Sequence, residues 1–290
     1  MRRMLRIINW NISFQGDTKQ KLVLLKAVIN EVDGPDTDFI IALQEVTEKA
    51  YSVIIEEGIF HYHCYSLNYR SPGPLEGRSR GLGCLIACSG NLQINESSLI
   101  ERMPFPERAL LARFSHNGIV FETLCFHSLT GVGFLKAKSA QLAALAEYLC
   151  FKREEPIILC CDLNEPKIDH IDQNKIEFFD QRGDQGKAAG YILRPEGKHL
   201  LQDSYRLWLS KNEQLLAQVT KEQQRTDELF STPLAVSHMV AGKIKKRYDY
   251  ILVTPHWQVK NVTYCYEEAV KHGSDHAIVM AELEWGKSCK

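Results

Sequence analysis

Hydrophobic and polar positions along the chain predict alternating strands and helices. The short apolar runs at residues 39–43 and 157–161 are typical of strands buried on both faces. Similar patterns predict further strands at residues 5–12, 82–88, 110–114, 119–126, 250–253, 259–264 and 278–283. Apolar residues at helical spacing predict helices between several of these strands, and one of them carries Leu135, Leu142, Leu145 and Leu149 on a single face.

Local signals mark where two of the helices begin and end. Asp17 followed by Gln20 is the pattern of a capping box. The helix that it begins is predicted to stop at Gly34-Pro35, since proline cannot continue a helix. Thr47 is predicted to cap a second helix that continues to about residue 57.

The order of elements predicts an α/β fold in one domain. Several strands follow one another without an intervening helix, which favours two packed mixed sheets covered by helices over one doubly wound parallel sheet. Residues 165–197 predict a long polar loop, and residues 200–216 predict helix again. Neither a repeat nor a linker divides the sequence, so we expect residues 1–290 to form a single domain.

Composition narrows the function classes. The chain has 35 Lys and Arg against 36 Asp and Glu, a net charge of −1, which argues against a DNA-coating protein but permits a local basic cleft. Nine cysteines without CxxC spacing indicate a reducing compartment rather than a disulfide framework or a zinc site. Apolar stretches stay below the roughly 18 residues of a membrane span, and a signal peptide is not evident. We therefore expect a cytoplasmic, monomeric protein.

Polar side chains collect where predicted strands begin or end. Each is by itself more typical of a turn, a helix cap or a satisfied core histidine, but six such positions in one chain indicate a site. The six segments are Asn9-Trp10-Asn11, Gln44-Glu45, His127-Ser128, Asp162-Leu163-Asn164, Asp249 and Ser274-Asp275-His276.

These residue types fit phosphoester hydrolysis. Carboxylate and amide oxygens bind hard cations such as Mg²⁺, a carboxylate can hold an attacking water, and histidine or asparagine can stabilise charge on phosphoryl oxygens. A second carboxylate can orient a histidine. The sequence has no GxSxG, GxxxxGK[ST] or GxGxxG segment, which disfavours serine hydrolases, NTPases and dinucleotide-binding enzymes.

In order along the chain, these segments resemble the motifs of the endonuclease/exonuclease/phosphatase superfamily. The matching pieces are Asn9-Trp10-Asn11-Ile12, Leu43-Gln44-Glu45-Val46, Phe126-His127-Ser128-Leu129, Cys161-Asp162-Leu163-Asn164, Arg247-Tyr248-Asp249-Tyr250-Ile251 and Ser274-Asp275-His276. The resemblance implies a four-layer α/β/β/α sandwich with the active site at one edge of the two sheets.

The resemblance also implies a role for each matched residue. Asn11, Glu45 and Asp275 would lie on the metal side, with Mg²⁺ or Mn²⁺ as the cofactor. Asp162 would hold or deprotonate the attacking water. Asn164 would orient that water. His127 and His276 would contact the scissile phosphate, with His276 paired to Asp249.

Basic residues suggest the substrate. Lys245 and Lys246 precede Asp249, and Arg80 lies in an arginine-containing loop; each group is predicted either to be solvated or to clamp a polyanion. A lipid substrate would need an apolar loop near the site, whereas the 165–197 segment is mainly polar. We therefore expect a phosphodiester substrate, most simply nucleic acid or a nucleic-acid-linked phosphodiester. The alternatives are a phosphomonoesterase acting on inositol phosphates or phosphoinositides, a sphingomyelinase-like lipid phosphodiesterase, and a catalytically silent binding member of the fold.

Overall fold

The computed structural model describes residues 4–32, 37–194, 198–225 and 232–286. In this part of the chain the strands are β1 (Met4–Asn11), β2 (Thr37–Val46), β3 (Tyr62–Tyr65), β4 (Gly83–Cys88), β5 (Gln93–Leu99), β6 (Ala109–His116), β7 (Ile119–His127), β8 (Ile157–Asp162), β9 (Gln202–Asp203), β10 (His238–Val240), β11 (Ile244–Lys246), β12 (Asp249–Val253), β13 (Trp257–Cys265) and β14 (Ile278–Trp285). The α-helices are α1 (Thr18–Val32), α2 (Glu48–Glu56), α3 (Gly131–Phe134), α4 (Lys136–Phe151), α5 (Lys187–Leu193), α6 (Ser204–Leu209), α7 (Glu213–Arg225) and α8 (Tyr266–Lys271).

The strands form two mixed six-stranded sheets, with the orders β13-β14-β1-β2-β4-β3 and β5-β6-β7-β8-β12-β9. Within them β1 pairs with β2 and β7 with β8 in parallel, whereas the remaining pairs are antiparallel. A separate two-stranded hairpin joins β10 to β11.

Side-chain alternation along each strand builds the layers. Ile7 of β1 and Cys160 of β8 belong to the core cluster between the sheets, whereas Ile8 packs with the residues of α1 and α2 and Leu159 with those of α4 and α5. Because successive residues of a strand face opposite ways, a strand covered on both sides must be apolar throughout. The result is one domain with the layer order α/β/β/α, which confirms the fold class predicted from the sequence.

The helix caps agree with the sequence in part. Thr47 caps α2, since its Oγ1 accepts a hydrogen bond from the Ala50 amide at 3.1 Å. Asp17 Oδ1 accepts from the Lys19 amide at 2.9 Å, but Gln20 donates to the Lys271 carbonyl at 3.2 Å in place of the capping-box bond expected of it. The predicted stop at Gly34-Pro35 lies outside the described residues.

Two predicted segments differ from the structure. Residues 165–197, predicted as a loop, contain α5, whose Ala188 and Ile192 are buried in the same cluster as residues of α4. Residues 200–216, predicted as helix, contain β9, α6 and the start of α7. The break falls at Asp203, which caps α6 by accepting from the Tyr205 amide at 3.0 Å.

Strands without a continuous apolar run were not predicted from the hydrophobic pattern. Most residues of β5 (Gln93–Leu99) are half-buried or exposed, because this strand lies at the edge of its sheet. The hairpin β10–β11 is likewise only partly buried. Burial on one side leaves too few apolar positions for a run to stand out.

Within the described residues, no helix has the length and apolar character needed to cross a membrane. Eight cysteines there are free thiols, and six of them are buried, where cysteine packs as a small hydrophobic residue. The cytoplasmic location and the monomeric state stay predictions from the sequence.

Candidate active site at the shared edge of the two sheets

Strand register gathers four predicted residues at one edge of the sandwich. His127 of β7 pairs with Asp162 of β8, which pairs with Asp249 of β12. Each lies two residues along its strand from a member of the core cluster between the sheets, namely Cys125, Cys160 or Ile251. Their side chains therefore face the opposite sheet. There Asn11 Nδ2 donates to Asp162 Oδ2 at 2.9 Å.

Asp162 and Asn164 form a tight turn after β8. The Asn164 amide donates to Asp162 Oδ1 at 2.9 Å, and Asn164 Nδ2 donates to the Ser128 carbonyl at 3.2 Å. Asn164 has a φ of 48°, a left-handed conformation that asparagine tolerates better than most residues. The turn therefore holds the carboxylate and the amide side by side.

His276 and Asp249 form a buried pair. His276 Nδ1 lies 2.9 Å from Asp249 Oδ2, and its Nε2 lies 3.8 Å from Asp162 Oδ2. Burial lowers the pKa of His276, but the carboxylates of Asp249 and Asp162 outweigh it and raise that pKa to about 10. Burial also raises the pKa of Asp249; the direct hydrogen bond to the imidazole favours the charged pair, with the proton on His276 near neutral pH.

His127 is held in the neutral form. Burial, the guanidinium of Arg108 and then His276 lower its pKa. Arg108 Nη1 lies 3.1 Å from His127 Nδ1, and since guanidinium can only donate, Nδ1 is the acceptor and Nε2 carries the proton. That Nε2 lies 3.5 Å from Glu45 Oε1 and 3.8 Å from Asp162 Oδ2.

Glu45 reaches the site because β2 departs from regular alternation. The pairing of β2 with β4 shifts register between Leu43 and Val46, and Glu45 has a φ of 59°. Its Oε2 accepts a hydrogen bond from the Phe14 amide at 3.0 Å. Regular alternation would place this carboxylate on the helix side of the sheet. The irregularity turns it toward the loop after β1 instead.

Two groups of three side chains have ligand atoms within 4.8 Å of one another, namely Asp162, Asp249 and His276, and His238, Asp275 and His276. The expected metal-side residues Glu45, Asn11 and Asp275 do not make up either group in the described part of the chain. Asn11 Oδ1 accepts from the Ser13 amide at 2.9 Å, and the Asp275 side chain is 61% exposed.

Lys21, which the sequence did not single out, lies near Glu45 and Asp275, two of the expected metal-side residues. Its Nζ donates to the carbonyl of Ser13 at 2.7 Å and to that of Gln15. Burial lowers its pKa, while Glu45, Asp275 and Asp17 act in the opposite direction. Glu45 and Asp275 therefore both lie near the Lys21 ammonium and partly offset the effect of its burial.

A second buried lysine, Lys138, binds the backbone of Asn164. Lys138 of α4 donates to the Asn164 carbonyl and to Glu165 Oε1, both at 2.7 Å. Both members of this ion pair are 1% exposed. A signal was present in the sequence, because Lys138 occupies the apolar face of its helix, three residues after Leu135 and four before Leu142.

The basic residues predicted to contact substrate have different surroundings. Lys245 is exposed and lines a cavity of about 710 Å³ together with Trp208 and Tyr266. Lys246, on the opposite face of β11, donates to the carbonyl of Lys167. Arg80 donates to Glu107 Oε1 at 3.0 Å.

Arg108 and Arg247 were not expected to have a structural role. Arg247 is buried between Asp169 Oδ2 and Asp203 Oδ2, each at 2.7 Å, although the sequence places it in a basic run. Arg108 donates to the Ser79 carbonyl at 2.9 Å as well as to His127. Their partners are distant in sequence, so no local pattern could have identified them.

Comparison with known proteins agrees with this architecture. A sequence profile of the Endonuclease/Exonuclease/phosphatase family matches residues 8–276. The catalytic domain of human Nocturnin has a similar fold, with a TM-score of 0.63, 16% identity, and coverage of 99% of this chain and 96% of that one. A search of curated proteins found no match.

Two further structures are similar to the same extent. D. rerio TDP2 complexed with single strand DNA product has a TM-score of 0.61 and 13% identity, covering 97% of this chain and 98% of that one. An endonuclease/exonuclease/phosphatase from Bacteroides vulgatus has a TM-score of 0.61 and 17% identity, covering 98% and 99%. Since the family profile spans nearly the whole sequence, from Ile8 to His276, the chain belongs to the endonuclease/exonuclease/phosphatase family.

Proposed function

We propose that the protein is a Mg²⁺-dependent phosphodiester hydrolase that acts on nucleic acid or on a nucleic-acid-linked phosphodiester. Family members are generally metal-dependent phosphoesterases. The observation that carries the proposal is the placement of the Asp162 carboxylate 3.8 Å from Nε2 of the cationic His276, with Asn164 beside it. A water acceptor and a phosphate-oxygen donor thus lie beside each other at the same edge of the sheets, where both can reach one phosphoryl group.

The residues have complementary roles in this reaction. Asp162 accepts a proton from the attacking water, and the Asn164 side chain orients that water in line with the leaving oxygen. The imidazolium of His276 donates from Nε2 to a phosphoryl oxygen, because its Nδ1 is held by Asp249. Neutral His127 adds a second donor through its protonated Nε2.

The metal side offers ligands that suit Mg²⁺ or Mn²⁺. Glu45, Asn11 and Asp275 supply carboxylate and amide oxygens, the donors that these hard cations prefer, and both carboxylates stabilise positive charge at Lys21. These residues would hold the cation, which as a Lewis acid would polarise the phosphoryl group.

Three features support nucleic acid as the substrate. Lys245 provides an exposed cation, and the cavity that it lines contains Trp208 and Tyr266. Among the described residues, Lys245 is the one cation in the lining of this cavity, which also contains Glu267 and Glu268, so the aromatic side chains, on which bases can stack, are its main suitability for nucleic acid. The similar TDP2 structure contains a single strand DNA product, which is a property of that protein and only supports the proposal for this one.

A substrate panel tests the proposal. Turnover is measured with bis-p-nitrophenyl phosphate against mono-p-nitrophenyl phosphate, and then with single- and double-stranded DNA, RNA, 5′-tyrosyl DNA, phosphoinositides and sphingomyelin. We expect diester cleavage in Mg²⁺, with a nucleic acid as the best substrate. The Asp162→Asn protein, purified in parallel, excludes contaminating nucleases. Preference for the monoester or for a lipid would refute the substrate class, and an inactive wild-type protein would refute the hydrolase.

A further inference from the structure

The base of the β10–β11 hairpin contacts both members of the His276–Asp249 pair. Ser237, which precedes β10, accepts hydrogen bonds at its Oγ from the amides of Tyr248 (2.8 Å) and Asp249 (3.1 Å). Its carbonyl accepts from the Ala277 amide at 2.7 Å. His238 forms an isolated antiparallel bridge with His276. The hairpin is therefore attached next to both members of the pair, through the Ser237 hydroxyl on the Asp249 side and through backbone bonds on the His276 side.

Ring stacking adds a direct contact with His276. The rings of His238 and His276 lie 4.4 Å apart at 27°, and Tyr248 stacks on His238 at 5.8 Å and 25°. His238 Nδ1 lies 3.0 Å from the Asp275 carbonyl, which can only accept, so Nδ1 carries a proton. A ring held in this way covers one face of the His276 imidazole and restricts its rotation about the Cβ–Cγ bond.

The same side chains invite an interpretation as a metal site, since ligand atoms of His238, Asp275 and His276 lie within 4.8 Å of one another. The geometry disfavours it. A metal must lie in the plane of each imidazole that binds it. The two rings are stacked 4.4 Å apart and inclined by only 27°, so their planes have no common point within bonding distance of both rings. The nitrogen of His238 that faces Asp275 is also a donor rather than a ligand.

We propose that His238 is a positioning residue that holds the His276 ring in its productive orientation. The inference rests on the proposed function and deepens it. Lys245 is on the same hairpin, paired with Met239. One two-stranded unit therefore carries the proposed substrate-binding cation and also holds the His276 ring through His238. Orientation of a reacting group affects kcat strongly, and a displacement of about 1 Å can cost on the order of a hundredfold.

Two substitutions separate the ring from its hydrogen bond. His238→Phe keeps an aromatic face but loses the Nδ1 donor, whereas His238→Asn keeps a donor for the Asp275 carbonyl but removes the ring. We expect His238→Asn to lower kcat about tenfold with KM within about twofold of wild type, and His238→Phe to stay within about threefold in kcat. His256→Ala is the matched control, because His256 stacks on Trp285 away from the site; its kcat should equal that of wild type.

Proton NMR supplies a readout that does not depend on turnover. The His276 Nδ1 proton bonded to Asp249 should give a downfield resonance, which is assigned by its absence in His276→Ala. We expect this signal to broaden by exchange with water in His238→Asn and to persist in His238→Phe. Normal kcat and a sharp signal in a folded His238→Asn protein would overturn the proposal, as would equal losses in both variants. If the wild-type protein lacks hydrolase activity, the NMR comparison still decides whether His238 positions the ring.

Discussion

At the scale of single residues, the candidate site depends on side chains whose charge states differ although they lie close together. His276 is cationic because two carboxylates surround it, and His127 is neutral because it is buried against Arg108. Two histidines of identical chemistry are thereby suited to different tasks, since environment sets the protonation state of each. Asp162 lies within 3.8 Å of both.

The residue-scale prediction concerns Asp162. We expect Asp162→Asn to lower kcat at least about a hundredfold, the scale of a general base, because an amide cannot accept the proton of the water. The melting temperature should stay unchanged or rise, since the substitution relieves repulsion with Asp249. Both quantities are measured on the same preparation. Asp172→Asn, which alters a distant cap, serves as the control, and a destabilised but fully active Asp162→Asn protein would contradict the assignment.

At the scale of elements, buried ion pairs join segments that the sheets alone do not connect. Lys138 and Glu165 link α4 to the turn after β8. Asp169 pairs with Arg247 next to β12 and with Arg206 of α6. Burying a charge is costly unless it is paired, so each pair fixes the relative position of its elements and disfavours alternatives.

The first prediction at this scale is a double-mutant cycle. Lys138→Met should cost about 3–5 kcal/mol in the free energy of unfolding, the usual effect of leaving a buried charge unpaired. Adding Glu165→Gln should recover part of that loss, because the uncompensated carboxylate is removed. Denaturant unfolding measures both proteins. Lys136→Met on the exposed face of the same helix is the control, and strictly additive losses would show that the pair is not coupled.

The second prediction at this scale is a pH dependence. Burial alone would raise the pKa of Asp169, but Arg247 and Arg206 outweigh it and lower that pKa. A depressed folded pKa means that ionised Asp169 contributes stability that is complete above the unfolded value of about 3.9 and is lost as pH falls through the folded pKa. The stability difference between wild type and Asp169→Asn should thus be largest near pH 7 and shrink below about pH 4. A difference that is constant with pH in thermal unfolding would contradict this.

At the scale of the whole molecule, the apolar core is separate from the expected metal-side residues. The three apolar clusters fill the space between the sheets and under the helices on both sides, whereas the expected metal-side residues lie at one edge. Binding of a cation should therefore stabilise a fold that already exists, in proportion to its concentration over Kd, rather than drive folding.

The whole-molecule prediction follows from this arrangement. Mg²⁺ should raise the melting temperature, and excess chelator should abolish turnover while leaving the protein folded, with activity restored by added Mg²⁺. Glu45→Gln should weaken the thermal response, because it removes a charged oxygen ligand, and Glu56→Gln on the exposed side of α2 should leave it unchanged. Full turnover in chelator would refute the metal requirement.

Much of the fold and the candidate site could be predicted from local pattern. The fully buried strands β2 and β8 follow from continuous apolar runs, and Asn9 and Asn11 share a face because strand side chains alternate. The edge strands and α5 could not be predicted in this way, since their burial is partial or depends on neighbours. Glu45 also escapes simple alternation, because a register shift turns its side chain.

The sequence by itself determined the alternation of strands and helices, the two-sheet architecture and the residue types available for phosphoester chemistry, because each depends on neighbours along the chain. Only the tertiary structure decided which charges have partners. Lys138 pairs with Glu165 across 27 residues and Arg247 with Asp169 across 78, so a cation that has no partner nearby in the sequence is neutralised in the fold. The pKa of His276 and the stacking of His238 belong to the same class, since electrostatic energy depends on distance in space and on burial, which chain order does not specify.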